Sequence, residues 1–304
     1  MSSEGLCGSV AAAPGVESPI RVAVEIAMRS RRRLSLGRVP PIMLAGHAVR
    51  KWALEQGIQK IVSVDHSEKM HVTRRSNARY CKYMSMLGCD VYPCVPRQPE
   101  TACQGDRLND TVGCIIVMEN GETASGVSSG GIALKQAGRV GEAAILGAGA
   151  WAEHTTKENE IISSCACSVT GVGERIMRHN IAKLCCRTAR DESDFHNVKG
   201  DYDETAEGGL EMSQRCLNLL KETLESEPQP QDCGVLLANA MMSENLVRVH
   251  LSACHFASSS MAIGYLYVAS GACGHGEHIL VSEPEKTTGR TFDLGISWPG
   301  SSAH

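Results

Sequence analysis

Apolar positions recur at helical spacing in two early stretches of the chain and at strand-like spacing in several later ones. Ser18-Pro19 places a preferred N-cap before a proline at the first helical position, and Val22, Ile26 and Arg29 share one face of the helix that follows. A second helix is predicted over His47 to Glu55, closed by Gly57. Residues 60–110 lose this regularity. They carry His66, His71, Arg74-Arg75, Pro93, Pro96 and Pro99, and read as a partly helical, mobile linker. Ile115, Ile116 and Val117 then predict a buried strand, Asn120-Gly121 a tight turn, and Thr123 to Ser129 the returning strand. Next come a helix from Gly171 through Ile176 and Ile181, an acidic irregular loop over Asp191 to Gly209, and a helix from Gly209 to Glu225. The last third reads as strands: Gly234 to Ala238, Val247 to Cys254, and Met261 to Ala269 with a return at His278 to Ser282. No internal repeat is present. Strands flanking glycine-rich turns, with helices between them, indicate a layered α/β or α+β fold.

Composition narrows the class without altering that outline. With 42% apolar and 21% charged residues, the 304-residue chain suits a globular core in one large or two ordinary domains. A formal charge of -4 speaks against nucleic-acid binding through a general electrostatic footprint. No apolar run reaches the length of a membrane span, and the start at Met1 has no basic segment leading into an apolar one, as a secretory signal would. The fourteen cysteines include Cys114, Cys216 and Cys254 inside predicted strands and helices, and read as reduced, buried thiols. Cys273, His275 and His278 match no zinc spacing and read as a hairpin turn; Cys165, Cys167 and Cys185-Cys186 read as packing. Neither a metal nor a cofactor is expected. The run Arg29-Ser-Arg-Arg-Arg33 reads equally as an import signal or as cations at a helix C-terminus.

Chemistry concentrates around Asp110-Thr111. A threonine hydroxyl is a poor nucleophile until a base takes its proton, and a free α-amino group on the same residue, titrating near about 7.7–8.0, is the most compact base available. That amine becomes free only if the bond between residues 110 and 111 is cut. By itself a threonine at a strand start is ordinary, and Asp-Thr is common turn chemistry. The returning strand adds Ala124, Ser125, Gly126, Ser128, Ser129, Gly130 and Gly131, small residues that leave room beside a nucleophile. Arg139 follows in Gly138-Arg139-Val140-Gly141; its planar fork suits a carboxylate, although a surface ion pair fits it too.

Together T-V-G-C-I-I-V from Thr111, V-S-S-G-G-I-A-L-K from Val127 and G-R-V-G-E-A-A from Gly138 resemble the asparaginase-2 group of threonine-type N-terminal nucleophile hydrolases, and within it the taspases, or threonine aspartases. Upstream, Leu34 to Ile42 and Arg50 to Ile58 resemble taspase segments in the same order; downstream, so do Gly147 to Glu153, Thr170 to Glu174, the strand at Gly234 and Ser258 to Tyr265. The resemblance implies a four-layer αββα sandwich, a single α+β domain made as one chain and matured into residues 1–110 and 111–304. It implies self-cleavage between Asp110 and Thr111, Thr111 as nucleophile and base, and Ser129 hydrogen-bonded to it. Arg139 would clamp a substrate aspartate, Thr170 and Gly171 would line the oxyanion hole, and Gly173 would leave space for the bound residue. The implied activity is an endopeptidase that cuts after aspartate and acts on nuclear regulators, such as trithorax-type methyltransferases and the precursor of transcription factor IIA. It implies self-association as an αβ dimer and a place in nucleus and cytoplasm, with only weak import signals at Arg29–Arg33 and Arg74-Arg75. Glu142 departs from the pattern: relatives acting on free asparagine or isoaspartyl dipeptides hold an acid after the arginine to bind a free α-amino group, so an asparaginase or isoaspartyl peptidase is the alternative. The family's first strand, with its His-Ala-Gly-Ala-Gly motif, and the two helices after it have no counterpart in the sequence. Slow or absent self-processing, or a non-catalytic binding role, is the corresponding expectation.

Overall fold

The computed structural model describes residues 1–60, 66, 69–89, 110–157, 160–190, 207–224, 232–243, 246–257, 260–269, 272–281 and 290–299. The chain divides into two compact units: a smaller one of Gly8–Thr111 and Ser128–Gly141, and a larger one of Met1–Cys7, Val112–Val127 and Glu142–His304.

In the smaller unit β1 (Ser9–Ala11) packs on α1 (Pro19–Arg29) and runs parallel to β2 (Met43–Ala45). Val22 and Ile26 of α1 bury against Val16, Val49 and Ala53. Ser18 occupies the N-cap position, but its hydroxyl makes no capping bond; Pro19 in the first turn sets the start. Helix α2 (His47–Glu55) ends as the sequence predicts. Gly57 is left-handed at φ +69, its N–H donates to Leu54 O at 3.0 Å, and the Ile58 N–H donates to Ala53 O at 2.9 Å, a Schellman closure. The stretch expected to be a linker contains α3 (Arg74–Met86), opened by a reciprocal capping box between Thr73 and Ser76. Among its residues only Asn77 is buried, so there was no apolar stripe to read in the sequence. Arg74-Arg75 thus begin the helical part of that stretch. The remainder of the expected linker, including Pro93, Pro96 and Pro99, lies outside the described residues.

The larger unit is built on an antiparallel five-stranded sheet. Among the described residues the hairpin strands β3 (Val112–Val117) and β4 (Thr123–Ser128) pair with each other in a two-stranded sheet, while Ser2 forms an isolated bridge to Ala124. Strands β5 (Ala150–Lys157) and β6 (Glu160–Gly171) follow, then α4 (Gly173–His179), α5 (Ile181–Ala189) and α6 (Glu207–Leu224). β7 (Cys233–Ser243), β8 (Leu246–Phe256), the hairpin β9 (Ser260–Ala269) with β10 (Ala272–Val281), and β11 (Arg290–Pro299) complete it. The sheet order is β11-β8-β7-β6-β5.

Strand parity sorts the two faces of this sheet. Cys165, Cys167 and Val169 of β6, with Val235 and Leu237 of β7, join Ile181, Cys185, Leu217 and Leu220 from the helices in one buried cluster. On the opposite face Ser168 lies against Gly113 of β3 and its hydroxyl donates to Gly126 O at 3.4 Å, while the Ser125 hydroxyl donates to Cys167 O at 2.6 Å. A side chain at Gly113 would overlap the Ser168 hydroxyl, which explains the glycine. The larger unit is therefore layered helix, sheet, hairpin, a mixed architecture consistent with the N-terminal nucleophile hydrolase fold. The small residues of β4, read as room for a ligand, serve close packing at Ser125 and Gly126.

Several other expectations change. Ile116 is 56% exposed rather than buried, because the hairpin presents only one face to the sheet. For the same reason Cys114 is exposed, whereas Cys216 and Cys254 are buried as expected; the described cysteines are all free thiols. Burial pushes the Cys165, Cys167, Cys233 and Cys254 thiols well above their ordinary range. The helix predicted through Ile176 and Ile181 is two helices, broken where Asn180 takes the left-handed conformation (φ 51, ψ 51). The segment read as a turn at His278 is the strand β10, in register with β9 from Ala272↔Ala269 to Val281↔Ser260. The side chains of Cys273, His275 and His278 lie outside those described, as does the acidic loop up to residue 206. Strands β5, β6 and β11 were not anticipated. The α6 helix is tied to β8 and β11 through Asp293, which accepts from Ser213 Oγ at 2.5 Å and Ser252 Oγ at 2.6 Å. Burial raises the Asp293 carboxyl above its usual value, against the pull of those two donors and of His250.

Candidate active site

Thr111 stands immediately before β3 and is half-buried, with Asp110 exposed ahead of it. Its Oγ1 donates to Ser129 Oγ at 3.0 Å, joining the residue before the first hairpin strand to the one just after the second. Ser129 Oγ also accepts from the Gly131 N–H at 3.1 Å. That backbone group reaches back because Gly131 turns through φ +74, a region a side chain disfavours. With both of these groups donating to it, Ser129 retains its own proton for a further acceptor.

Asp110 is seated against the same loop. A Cβ built on Gly130 would come within 2.5 Å of Asp110 Oδ2, and Lys135 Nζ donates to Gly130 O at 2.5 Å. The Asp110 carboxylate thus lies over Gly130, although as the exposed end of a side chain it can turn aside for a larger residue. We expect Gly130→Ala to turn the Asp110 carboxylate aside without moving its carbonyl, and to change the rate of any splitting of the 110–111 bond by less than about threefold, the scale of surface substitutions. The fragment ratio on a denaturing gel over time measures it.

Arg139 is half-buried in the same unit, behind left-handed Gly138 (φ +84), and its N–H donates to Gln136 O at 3.1 Å.

The other sequence-predicted residues belong to the larger unit. Glu142 opens a short 3-10 turn and is only 5% exposed. Its Oε2 fills the space left by the missing side chain of Gly173, where an added Cβ would lie 2.5 Å away. Thr170, at the end of β6, has a buried Oγ1 without a hydrogen-bond partner, the one predicted site residue with an unsatisfied buried hydroxyl. Gly171 is held at φ +143 against the start of β7: a side chain there would overlap Asp232 O, and Val172 N–H donates to that carbonyl at 2.8 Å. The structure therefore brings Thr111 to Ser129 and Asp110 to Gly130 in one unit, and Glu142 to Gly173 in the other. The Glu142–Gly173 contact escaped the sequence reading, because no spacing pattern links a residue after the arginine loop to a helix start thirty residues on. Among the described residues no group of three or more His, Cys, Asp or Glu side chains could hold a metal ion.

The helix–sheet–hairpin layering of the larger unit is consistent with the N-terminal nucleophile hydrolase class, and within the smaller unit Thr111 is paired to Ser129. More particularly, the chain belongs to the asparaginase family, whose model matches residues 2–198. It is 28% identical over 185 residues to a probable isoaspartyl peptidase/L-asparaginase 2 of Arabidopsis thaliana, covering 58% of this chain and 51% of that protein. It is 28% identical over 218 residues to the isoaspartyl peptidase/L-asparaginase of Mus musculus (72% and 52% covered). With the Homo sapiens protein of the same name, identity is 31% over 177 residues (58% and 47%). The chain thus spans about half the length of the relatives it matches. None of these three carries the taspase name that the motifs suggested.

Proposed function

We propose that the chain is the precursor of a threonine hydrolase that opens its own backbone between Asp110 and Thr111 and then cuts protein substrates after aspartate. The observation that carries this reading is the 3.0 Å contact between the Thr111 and Ser129 hydroxyls beside the seated Asp110. In the first reaction Thr111 Oγ1 attacks the Asp110 carbonyl carbon, its proton passes to the departing Thr111 nitrogen, and the amide becomes an ester. Water then opens the ester, releasing the Asp110 carboxylate and restoring the hydroxyl. The freed α-amine is the base of every later turnover. Ser129 orients the hydroxyl and Arg139 receives the substrate aspartate. An enzyme selective for aspartate meets the same residue in itself and in its substrates, which gives Asp110 a reason to precede Thr111.

Glu142 supports the endopeptidase over an enzyme for free amino acids. An acid meant to bind a free α-amino group has to be open to it, and this carboxylate is buried against Gly173. The names of the relatives favour the second reading, an isoaspartyl peptidase or asparaginase. Matured protein given a peptide with an internal aspartate, and separately a β-aspartyl dipeptide, decides between them by kcat/KM. We expect a preference of at least about 10²-fold for the internal site, the discrimination of a site built around an extended chain; the reverse preference establishes the second reading. Nuclear regulators as substrates, an αβ dimer and residence in nucleus and cytoplasm belong to the first reading.

A further inference from the structure

We propose that the smaller unit carries a second binding site: a basic-rimmed apolar cleft at the C-terminal end of α1 that takes an acidic peptide segment of a partner protein. The segment would place one aromatic or aliphatic side chain among its carboxylates. The cleft measures about 420 Å³, and its apolar wall is made by Ile26, Leu34, Pro40, Pro41 and Trp52. That volume lies within the range of about 300–1,000 Å³ typical of ligand sites and accepts a large side chain with neighbouring backbone. Its rim is formed by Arg29, Arg32 and Arg33, with Gln56.

The arginines differ in a way that indicates an occupant. Arg29 is fixed: its guanidinium lies 5.8 Å from the Trp52 ring centroid, donates to Gln56 Oε1 at 2.5 Å and reaches Glu25 Oε2 at 3.3 Å. It forms part of the wall and orients the indole. Arg32 and Arg33 are exposed and make no ion pair with the described residues. With Arg29 paired to Glu25, the guanidinium groups of Arg32 and Arg33 stand beside the apolar surface without an ion-pair partner among the described residues. The helix dipole accounts for Arg29 in the last turn; Arg32 and Arg33 come after the cap at Ser30. Guanidinium forks match carboxylates in a bidentate way, and a Trp–Leu–Pro surface rewards an apolar side chain, so an acidic peptide satisfies both halves. A nucleic acid fits less well, because three cations and one indole offer a short electrostatic track on a chain of net charge -4. An anionic membrane presents a plane rather than a protruding side chain. The anchoring of Arg29 at three points also argues against release of this run as an extended import signal.

Fluorescence anisotropy on the Thr111→Ala chain, which cannot cut the probe, tests the site. The probe is a fluorescein-labelled peptide of alternating Asp and Glu around a central Phe. The controls are the same peptide with Asn and Gln in place of the acids, a single-stranded oligonucleotide and phosphatidylserine vesicles. We expect saturable binding of the acidic peptide that weakens at least tenfold in the Arg32→Ala/Arg33→Ala variant and with rising salt. Both positions are exposed, and unchanged circular dichroism verifies the fold of the variant. Equal binding by the amide peptide, unchanged affinity in the double variant, or binding of the oligonucleotide or vesicles alone would overturn the assignment.

Discussion

Thr111→Ala leaves the chain whole and hydrolytically silent. The substitution removes the attacking oxygen for the self-cleavage and for turnover, so both rates are expected to fall by on the order of 10⁴-fold or more. Thr111→Ser restores an oxygen of the same reach without the methyl group, and is expected to recover splitting at a reduced rate. The fold survives either change, since Thr111 is half-buried and contributes to neither the large core cluster nor the one around α1. Denaturing gels and a peptide-cleavage assay read the two losses separately. If the alanine variant retains hydrolysis, the nucleophile lies elsewhere.

Arg139→Ala has the second largest effect. A bidentate contact between a guanidinium and a carboxylate comprises two charge-assisted hydrogen bonds, each contributing about 1.5–3 kcal/mol. Discounting for water that replaces the lost group, kcat/KM on an aspartyl peptide is expected to drop by about 10²–10³-fold. Substrates with asparagine in place of aspartate lose far less, because they already lack the charge. Arg139→Lys keeps the charge without the fork and recovers only part of the activity. An equal loss on both substrates would make Arg139 a structural residue and not a specificity determinant.

Much of the helical layout was visible in the sequence where local chemistry decides it. Helix α2 and its glycine closure were legible because Gly57 permits the left-handed turn that the terminal carbonyls need. The turn at Asn120-Gly121 was legible for the same reason, with Gly121 at φ +81. Strand β6 was not. It lies at the interior of the sheet with both faces covered, yet its central residues are Ser163, Ser164, Cys165, Ala166, Cys167 and Ser168, too small and too polar to register as a core strand. Close layers demand small residues, and small residues carry little hydrophobic signal. The break at Asn180 was hidden for a different reason: the apolar positions Ile176 and Ile181 are both buried, so periodicity continues across a change of axis.

The site was legible only in part. Nothing in spacing or composition distinguishes Thr111 from an ordinary strand residue; the ordered set of family segments singled it out, and the structure then supplied Ser129 at hydrogen-bonding distance. The seat of Asp110 against Gly130 and the burial of Glu142 against Gly173 depend on loops meeting in space. The burial of Glu142 bears on specificity, and neither contact is encoded in sequence spacing.

Intact-mass spectrometry of the purified chain over a long incubation bears most directly on self-cleavage at Asp110–Thr111. The expected result is two polypeptides, one ending at Asp110 and one beginning with Thr111, appearing in step with hydrolytic activity and absent from Thr111→Ala. A single uncleaved mass alongside full activity, or a break at any other bond, contradicts it.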